Sequence, residues 1–324
     1  APVRGRSAGC LIEDEDEMEL HERGEEMNAK IKPPMEWPKT GVVTVRYEDE
    51  VQDVWASRYG SLTELAKEGV ARFGDREMWF FPDFDTRWTY NEFDGVVNNV
   101  AYGLHEDYGI RKGDRVAIMA TNIPEAFVGY LALSQIGAIS VIINARLAAE
   151  EAERQFEDSG CAAAIIEGAL WERMKTITGK LPTLQRIFVT GAEGGEGTIA
   201  FSGLMEKKAP REILVDVSER DICSLIYTSG TTGRPKGTIT LHRGVVNNVA
   251  YGLYEEHGIR KGDRVAVMAT NIPEAFVGYL ALSQIGAISV IINARLAAGE
   301  AERQFEDSGC TAAIIEGALW ERMK

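Results

Sequence analysis

Between residues 227 and 237 the chain reads Tyr227-Thr228-Ser229-Gly230-Thr231-Thr232-Gly233-Arg234-Pro235-Lys236-Gly237. Gly230 and Gly233 let a backbone approach an anion closely, and successive amides in such a run can form a concave nest. Thr228, Ser229, Thr231 and Thr232 add hydroxyl donors, and Arg234 and Lys236 add positive charge. That donor set suits a polyphosphate. It is not a Walker loop, whose Lys directly follows Gly, because here Pro235 precedes Lys236. Composition alone also describes a flexible Gly/Thr surface loop. The apolar run Cys223 to Ile226 reads as a strand, so the segment leaves a strand end, where open α/β sheets bind ligands.

The elements that must hold this loop read as an alternating series. Ser61 to Ala71 places Leu62, Leu65, Ala66 and Val70 on one helical face, closed by Gly74. Met78 to Phe81 and Arg87 to Tyr90 flank PDFDT and predict a hairpin. Thr89 and Glu92 have capping-box spacing for a helix running towards Leu104. Strands follow at Arg115 to Ala120, Ile139 to Ile143 and Ala162 to Ile166, with helices at Pro124 to Gln135 (read as amphipathic) and Ala149 to Asp158 between them. Shorter strands fit Arg186 to Thr190 and Ser224 to Tyr227. The expected fold class is α/β, a mostly parallel sheet flanked by helices.

A repeat interrupts this order. Gly95 to Lys175 recurs as Gly244 to Lys324 at a constant offset, with only six differences: His105/Tyr254, Asp107/Glu256, Tyr108/His257, Ile118/Val267, Glu150/Gly299 and Ala162/Thr311. Natural solenoids stack shorter repeats in at least about three copies, so this is expected to be a partial duplication. Two copies of one pattern are expected to compete for the same place against residues 41–94. Loop-closure entropy favours the first copy, leaving the second poorly packed or swapped into a neighbouring chain. Three regions are expected: an acidic, disordered tail and Pro linker at 1–40, an incomplete α/β domain at 41–243, and the near-copy at 244–324.

The 324 residues carry 35 Lys+Arg against 50 Asp+Glu, a formal charge of −15. Such acidity disfavours nucleic acid and anionic lipid as partners. Cys10, Cys161, Cys223 and Cys310 form no CxxC, and the four histidines show no metal-ligand spacing, so no His/Cys metal site is expected. So few cysteines fit a reducing compartment. No leader is legible near Ala1. Ala126 to Ala145 has no charge over twenty residues, but Ser134, Gln135, Gly137, Ser140 and Asn144 argue for a helix, a break and a strand, so no membrane span is expected.

The complete eleven-residue string resembles the signature loop of the adenylate-forming superfamily, which includes acyl-CoA synthetases, firefly-luciferase-like enzymes and nonribosomal adenylation domains. SLTELAKEGVARFGDREMWFFPDFDTRWTYNEFD, GIRKGDRVAIMATNIPEAFVGYLALSQIGAISVIINARL and AERQFEDSGCAAAIIE also look like the opening of such a domain, in family order. The resemblance covers about residues 41–243 and is nearest to the acyl- or aryl-CoA synthetase branch. It implies a carboxylic acid activated by ATP to an acyl-adenylate and pyrophosphate, then passed to coenzyme A. Mg2+ is implied with the nucleotide. Thr228, Ser229, Gly230, Thr231, Thr232 and Gly233 would hold phosphate oxygens, and Lys236 would supply charge to the leaving pyrophosphate.

The resemblance also implies elements that are missing after Gly237. The family's aromatic-Gly-x-Thr-Glu segment, its TGD-type ribose ligand and its C-terminal domain with the catalytic Lys have no counterpart in the copied segment. No catalytic residue is therefore assigned. The expectation is a cytoplasmic fragment or rearranged derivative of an AMP-forming acyl-CoA synthetase, inactive alone and able to self-associate through the repeat. The alternatives are a working ligase of unusual architecture and a noncatalytic interaction or regulatory protein on the same scaffold.

Overall fold

The computed structural model describes residues 42–47, 50–55, 59–191, 194–195, 197–228, 236–242, 253–254, 257–269 and 273–323. It divides into two compact units, residues 1–58 and 59–324. In the first, β1 (Val42–Tyr47) and β2 (Glu50–Trp55) form an antiparallel hairpin in register from Val42↔Trp55 to Tyr47↔Glu50. Nothing in the sequence reading anticipated this pair, and the expected acidic tail lies outside the described residues.

The second unit opens with α1 (Leu62–Phe73), where the Ser61 hydroxyl accepts from the Glu64 amide at 3.1 Å. A helix start leaves its first amides without partners, so this cap explains the boundary. At the other end Gly74 takes φ 33°, which ends the helix. The strands β3 (Glu77–Phe81) and β4 (Thr86–Thr89) make the expected hairpin. The capping box then forms as read: the Glu92 amide donates to Thr89 Oγ1 at 3.2 Å and the Thr89 amide donates to Glu92 Oε2 at 2.9 Å. The helix it starts, α2, covers Tyr90–Tyr102 and passes into a wider π-type turn over Gly103–Asp107.

The alternating series follows as β5 (Arg115–Met119), α3 (Pro124–Gln135), β6 (Ile139–Ile142), α4 (Ala149–Ser159), β7 (Ala163–Glu167), α5 (Gly168–Thr178) and β8 (Arg186–Thr190). Next come β9 (Ile199–Ala200), α6 (Phe201–Glu206), β10 (Ile222–Thr228) and β11 (Lys236–Leu241). The second copy supplies β12 (Arg264–Met268), α7 (Pro273–Ile285), β13 (Ile288–Ile292), α8 (Ala298–Ser308), β14 (Ala312–Ile315) and α9 (Gly317–Met323). One sheet has the order β11-β10-β6-β5-β7-β8-β9 and the other β14-β12-β13-β3-β4. The α/β class with largely parallel sheets stands as expected. Of the other elements, β9, β11, α5 and α6 were not anticipated.

Two expectations are overturned. The copies do not compete for one place. In the first copy β6 accepts β10 in parallel (Ser224↔Ser140 to Ile226↔Ile142), and β10 pairs antiparallel with β11. In the second, β13 accepts β3 in parallel (Ser289↔Trp79, Val290↔Phe80), and β3 pairs antiparallel with β4. Each copy thus finds its own hairpin, and the hairpin around the Ser/Thr/Gly loop frees β3 for the second copy. The second copy packs accordingly: Val265, Ala266, Val267, Met268, Val290 and Ile292 are all buried.

The other correction concerns α3, read as amphipathic. Every residue from Ala126 to Gln135 is buried. The helix lies between the two sheets: Phe127 packs at a tilt against Trp79 of β3, ring centres 5.0 Å apart, while a Cβ at Gly129 would meet Ile165 of β7 at 2.8 Å. A helix covered on all sides has no polar face to reveal. Trp79, Phe127 and Tyr279 meet in one aromatic cluster, with Phe127 and Tyr279 4.9 Å apart, and this cluster joins the two sheets. Ala126 to Ala145 thus resolves into helix, break and strand, and no described helix is long and apolar enough to cross a membrane.

Candidate functional site

The phosphate-type loop is the turn of the β10–β11 hairpin. Thr228 pairs with Lys236, Tyr227 with Gly237 and Ile226 with Thr238. Residues 229–235 lie outside the described residues, so Ser229, Gly230, Thr231, Thr232, Gly233 and Arg234 are placed only by the two stem strands. Of the predicted phosphate ligands, Thr228 ends β10 and Lys236 opens β11 with an exposed side chain. Because β10 runs parallel to β6, and β6 to β5 and β5 to β7, the loop leaves the carboxyl edge of this sheet. That is where open α/β sheets place ligands.

The stem is fixed from several sides. Tyr227 Oη donates to Asp158 Oδ2 at 2.5 Å, tying the end of β10 before the loop to the end of α4. Burial, reinforced by the Asp158 carboxylate, pushes the Tyr227 phenol well above its ordinary range, so it stays a donor. Opposite it, a Cβ at Gly237 would meet Leu225 Cδ1 at 2.9 Å, so a larger residue there would have to move the Leu225 side chain. Cys223 is buried beside Tyr130, with Sγ 3.4 Å from Oη. Burial pushes its thiol up to about 12, which excludes it as a thiolate nucleophile.

At the far end of β11, His242 is fully buried. Its Nδ1 accepts from the Leu62 amide at 3.2 Å, the first helical N–H of α1. An imidazole that accepts at Nδ1 is neutral with its proton on Nε2, and that nitrogen has no partner among the described residues. Burial lowers its pKa to about 4. His242 is thus a structural clasp. The sequence reading counted it only among histidines without metal spacing, and its burial had no local signal.

The same carboxyl edge gathers polar groups that the sequence reading did not single out. Glu167, closing β7, accepts from the Thr121 amide at 2.6 Å. Asn122 Nδ2 donates to the Ala269 carbonyl at 2.7 Å, so the loop after β5 meets the end of β12, its own counterpart in the second copy. Glu125, in the first turn of α3, has its pKa raised by burial and further by Glu167. The string TNIPE after a strand was the available signal. Among the described residues no group of three or more His, Cys, Asp or Glu converges as a metal site.

The family model described as AMP-binding enzyme matches residues 66–252 and again 245–323. The chain belongs to this family. Among AMP-binding relatives, a 3-hydroxybenzoate--CoA/4-hydroxybenzoate--CoA ligase from Thauera aromatica is 35% identical over 179 residues, covering 55% of this chain and 34% of the relative. The 4-coumarate--CoA ligase 1 of Petroselinum crispum is 28% identical over 204 residues, 63% of this chain and 37% of that one. The chain therefore spans little more than a third of the length of these curated relatives. The N-terminal domain of FACL13 from Mycobacterium tuberculosis superposes with a TM-score of 0.72 at 22% identity, covering 82% of this chain and 65% of that domain. A long-chain-fatty-acid-CoA ligase from Archaeoglobus fulgidus gives 0.73 at 21%, over 82% and 53%.

The two coverages differ in a useful way. Residues 1–243 are 243 of 324, or 75% of the chain, so a superposition over 82% must extend into the second copy. The AMP-binding fold therefore continues past the point where the sequence resemblance read from the residues stops.

Proposed function

We propose that this chain is a rearranged portion of an ATP-dependent, AMP-forming acyl- or aryl-CoA ligase whose β10–β11 loop holds nucleotide phosphates, and that it does not complete the ligase reaction alone. The observation that carries the reading is the eleven-residue Ser/Thr/Gly/Lys string on a hairpin at the carboxyl edge of a parallel sheet, in a chain matched by the AMP-binding family. Thr228, Ser229, Gly230, Thr231, Thr232 and Gly233 would bind phosphate oxygens through hydroxyls and amides. Lys236 would place its ammonium against the pyrophosphate that leaves as a carboxylate oxygen attacks the α-phosphorus. Such catalysis is alignment plus charge stabilisation, and phosphate contacts alone supply only part of it.

Mg2+ would accompany the nucleotide phosphates in this reading, and no residue of the chain is assigned to hold it. Coenzyme A and a carboxylic acid are the remaining substrates of this reading. The names of the curated relatives favour aryl acids such as hydroxybenzoates and coumarate.

ATP binding and ATP–pyrophosphate exchange test the two parts separately. With benzoates, coumarate and fatty acids, exchange is expected at background while ATP still binds. Lys236→Ala removes one charge-assisted contact worth about 1.5–3 kcal/mol, and so is expected to weaken ATP binding tenfold or more. Exchange above background would overturn the inactivity. Unchanged ATP affinity in Lys236→Ala would overturn the loop assignment.

The noncatalytic alternative has one observation in its favour. The second copy contributes a packed sheet while bringing no second Ser/Thr/Gly loop. A stable complex with a full-length ligase on co-purification would support that reading, and a clean monomer would count against it.

A further inference from the structure

We propose that Asn144 and Gln155 form an oxyanion subsite at the foot of the Ser/Thr/Gly loop, which takes an oxygen of the nucleotide's β,γ-pyrophosphate group. The inference rests on the reading of that loop as a phosphate loop. Its template lies in the second copy, where the same two residue types already hold an oxyanion. Asn293, just after β13, donates from Nδ2 to Asp83 Oδ2 at 2.9 Å, and Gln304 of α8 donates from Nε2 to Asp83 Oδ1 at 2.5 Å. Both oxygens of one carboxylate, from the turn between β3 and β4, are thus received by two side-chain amides.

The first copy has the same cradle. Asn144 and Gln155 are the counterparts of Asn293 and Gln304. Their backbone setting is the same. The Arg146 amide donates to Asn144 Oδ1 and the Arg295 amide to Asn293 Oδ1, each at 2.9 Å, and α4 and α8 open on equivalent bonds to Glu151 and Glu300. The two hairpins also stand in one register. Ser140 pairs with Ser224 and its counterpart Ser289 with Trp79, so four residues on, Thr228 corresponds to Asp83. In both copies the glutamine Oε1 is buried with no partner among the described residues, which leaves Nε2 as the end turned to a ligand.

What differs is the carboxylate. Residues 228–236 contain no Asp or Glu, so the loop has no acid to put in the place of Asp83. Among the described residues neither Asn144 Nδ2 nor Gln155 Nε2 has a partner, although Gln155 is only 5% exposed. An amide donor left unpaired in such a place is costly, and an oxyanion satisfies it. Acidic neighbours do not bar the guest. Asp83 keeps its cradle although α8 carries Glu300 and Asp307, and on α4 the matching Glu151 and Asp158 are engaged by the Ala148 amide and Tyr227 Oη. Lys236 pairs with Thr228 across the hairpin, so an oxyanion at this position shares the pyrophosphate group assigned to that lysine.

The test titrates ATP, pyrophosphate and AMP into the full chain by calorimetry, with urea unfolding of each variant. Gln155→Met keeps the shape and removes the donor; it also removes a buried oxygen without a described partner, so stability is expected to hold. Asn144→Asp keeps the acceptor for the Arg146 amide and replaces the donor by a charge. Each is expected to weaken ATP and pyrophosphate about tenfold and AMP less than about twofold. Gln304→Met should do the reverse, lowering stability and leaving all three affinities unchanged, because its amide holds Asp83. If Gln155→Met leaves ATP and pyrophosphate affinity unchanged while Lys236→Ala lowers both, the subsite is overturned and the loop reading stands; if neither change matters, both are overturned. A Gln155→Met chain that loses stability as Gln304→Met does, with unchanged affinities, assigns the amide to a loop hydroxyl instead. Equal weakening of AMP and ATP would also overturn the subsite.

Discussion

The two copies place almost the same 81 residues in two surroundings, and the differences between them isolate what context does. In the first, β6 lies beside β10, whose far end carries the Ser/Thr/Gly loop; in the second, β13 lies beside β3, whose far end is a PDFD turn. Tyr130 sits against Cys223, while its counterpart Tyr279 packs on Trp79 and Phe127. Cys161 is buried, with its thiol pushed up to about 11 by burial, while Cys310 is only half-buried. Among the described residues local sequence thus gives the same order of strands and helices in both places, and the same cap on α4 and α8. What lies beside each strand is settled by segments far away in the chain, and function follows the neighbour rather than the module.

The largest expected break in this comparison is Trp79→Ala. Trp79 is one of two β3 residues that pair with the second copy, and it also touches Phe127 of the first. Truncating a buried Trp costs about 3–5 kcal/mol. Urea unfolding should register that loss, and hydrogen exchange should show β12 and β13 losing protection before β5 and β6, because β10 still covers the first copy.

Acid should act on the other sheet. The pKa of His242 is lowered to about 4 when folded, against an ordinary value of 6.5. The folded state therefore binds fewer protons than the unfolded chain between these values. The stability from keeping His242 neutral is complete above about pH 6.5 and is lost as pH falls towards 4, a loss of about 3 kcal/mol. Exchange at β11 and the start of α1 should accelerate over that window while β12 and β13 change less. His242→Gln, which can still accept from the Leu62 amide, should flatten the dependence.

The sequence reading reached those features whose cause is local. The Thr89–Glu92 capping box, the Ser61-to-Gly74 helix and the strand at Arg186 to Thr190 each depend on residues within a few positions, and each lies where the spacing predicts. The Ser/Thr/Gly/Lys string was legible for the same reason. What escaped was non-local. Nothing near Ile288–Ile292 says that β3 will be its neighbour, 200 or so residues away along the chain. The full burial of α3 has no sign within 124–135, because one of its covers, Tyr279, belongs to the copy. His242, Asn122 and Gly237 acquire their roles only from partners on other elements.

The smallest expected effect probes a second clasp of the loop-bearing hairpin, in addition to His242. Tyr227 Oη donates to Asp158, whereas Asp307, the same residue in the second copy, lies beside a sheet whose hairpin has no such tyrosine. Tyr227→Phe keeps the ring and removes the bond, at a cost of about 0.5–1.5 kcal/mol. If the bond serves only packing, stability falls by that amount and ATP affinity is unchanged. If it holds the loop stem in register, ATP affinity falls by more than the stability loss explains, and Asp158→Asn, whose amide oxygen can still accept from Tyr227, keeps most of the affinity. Isothermal titration of both variants with ATP separates these outcomes. The equivalent Asp307→Asn change should alter neither quantity, because in the second copy the same carboxylate has no loop to position.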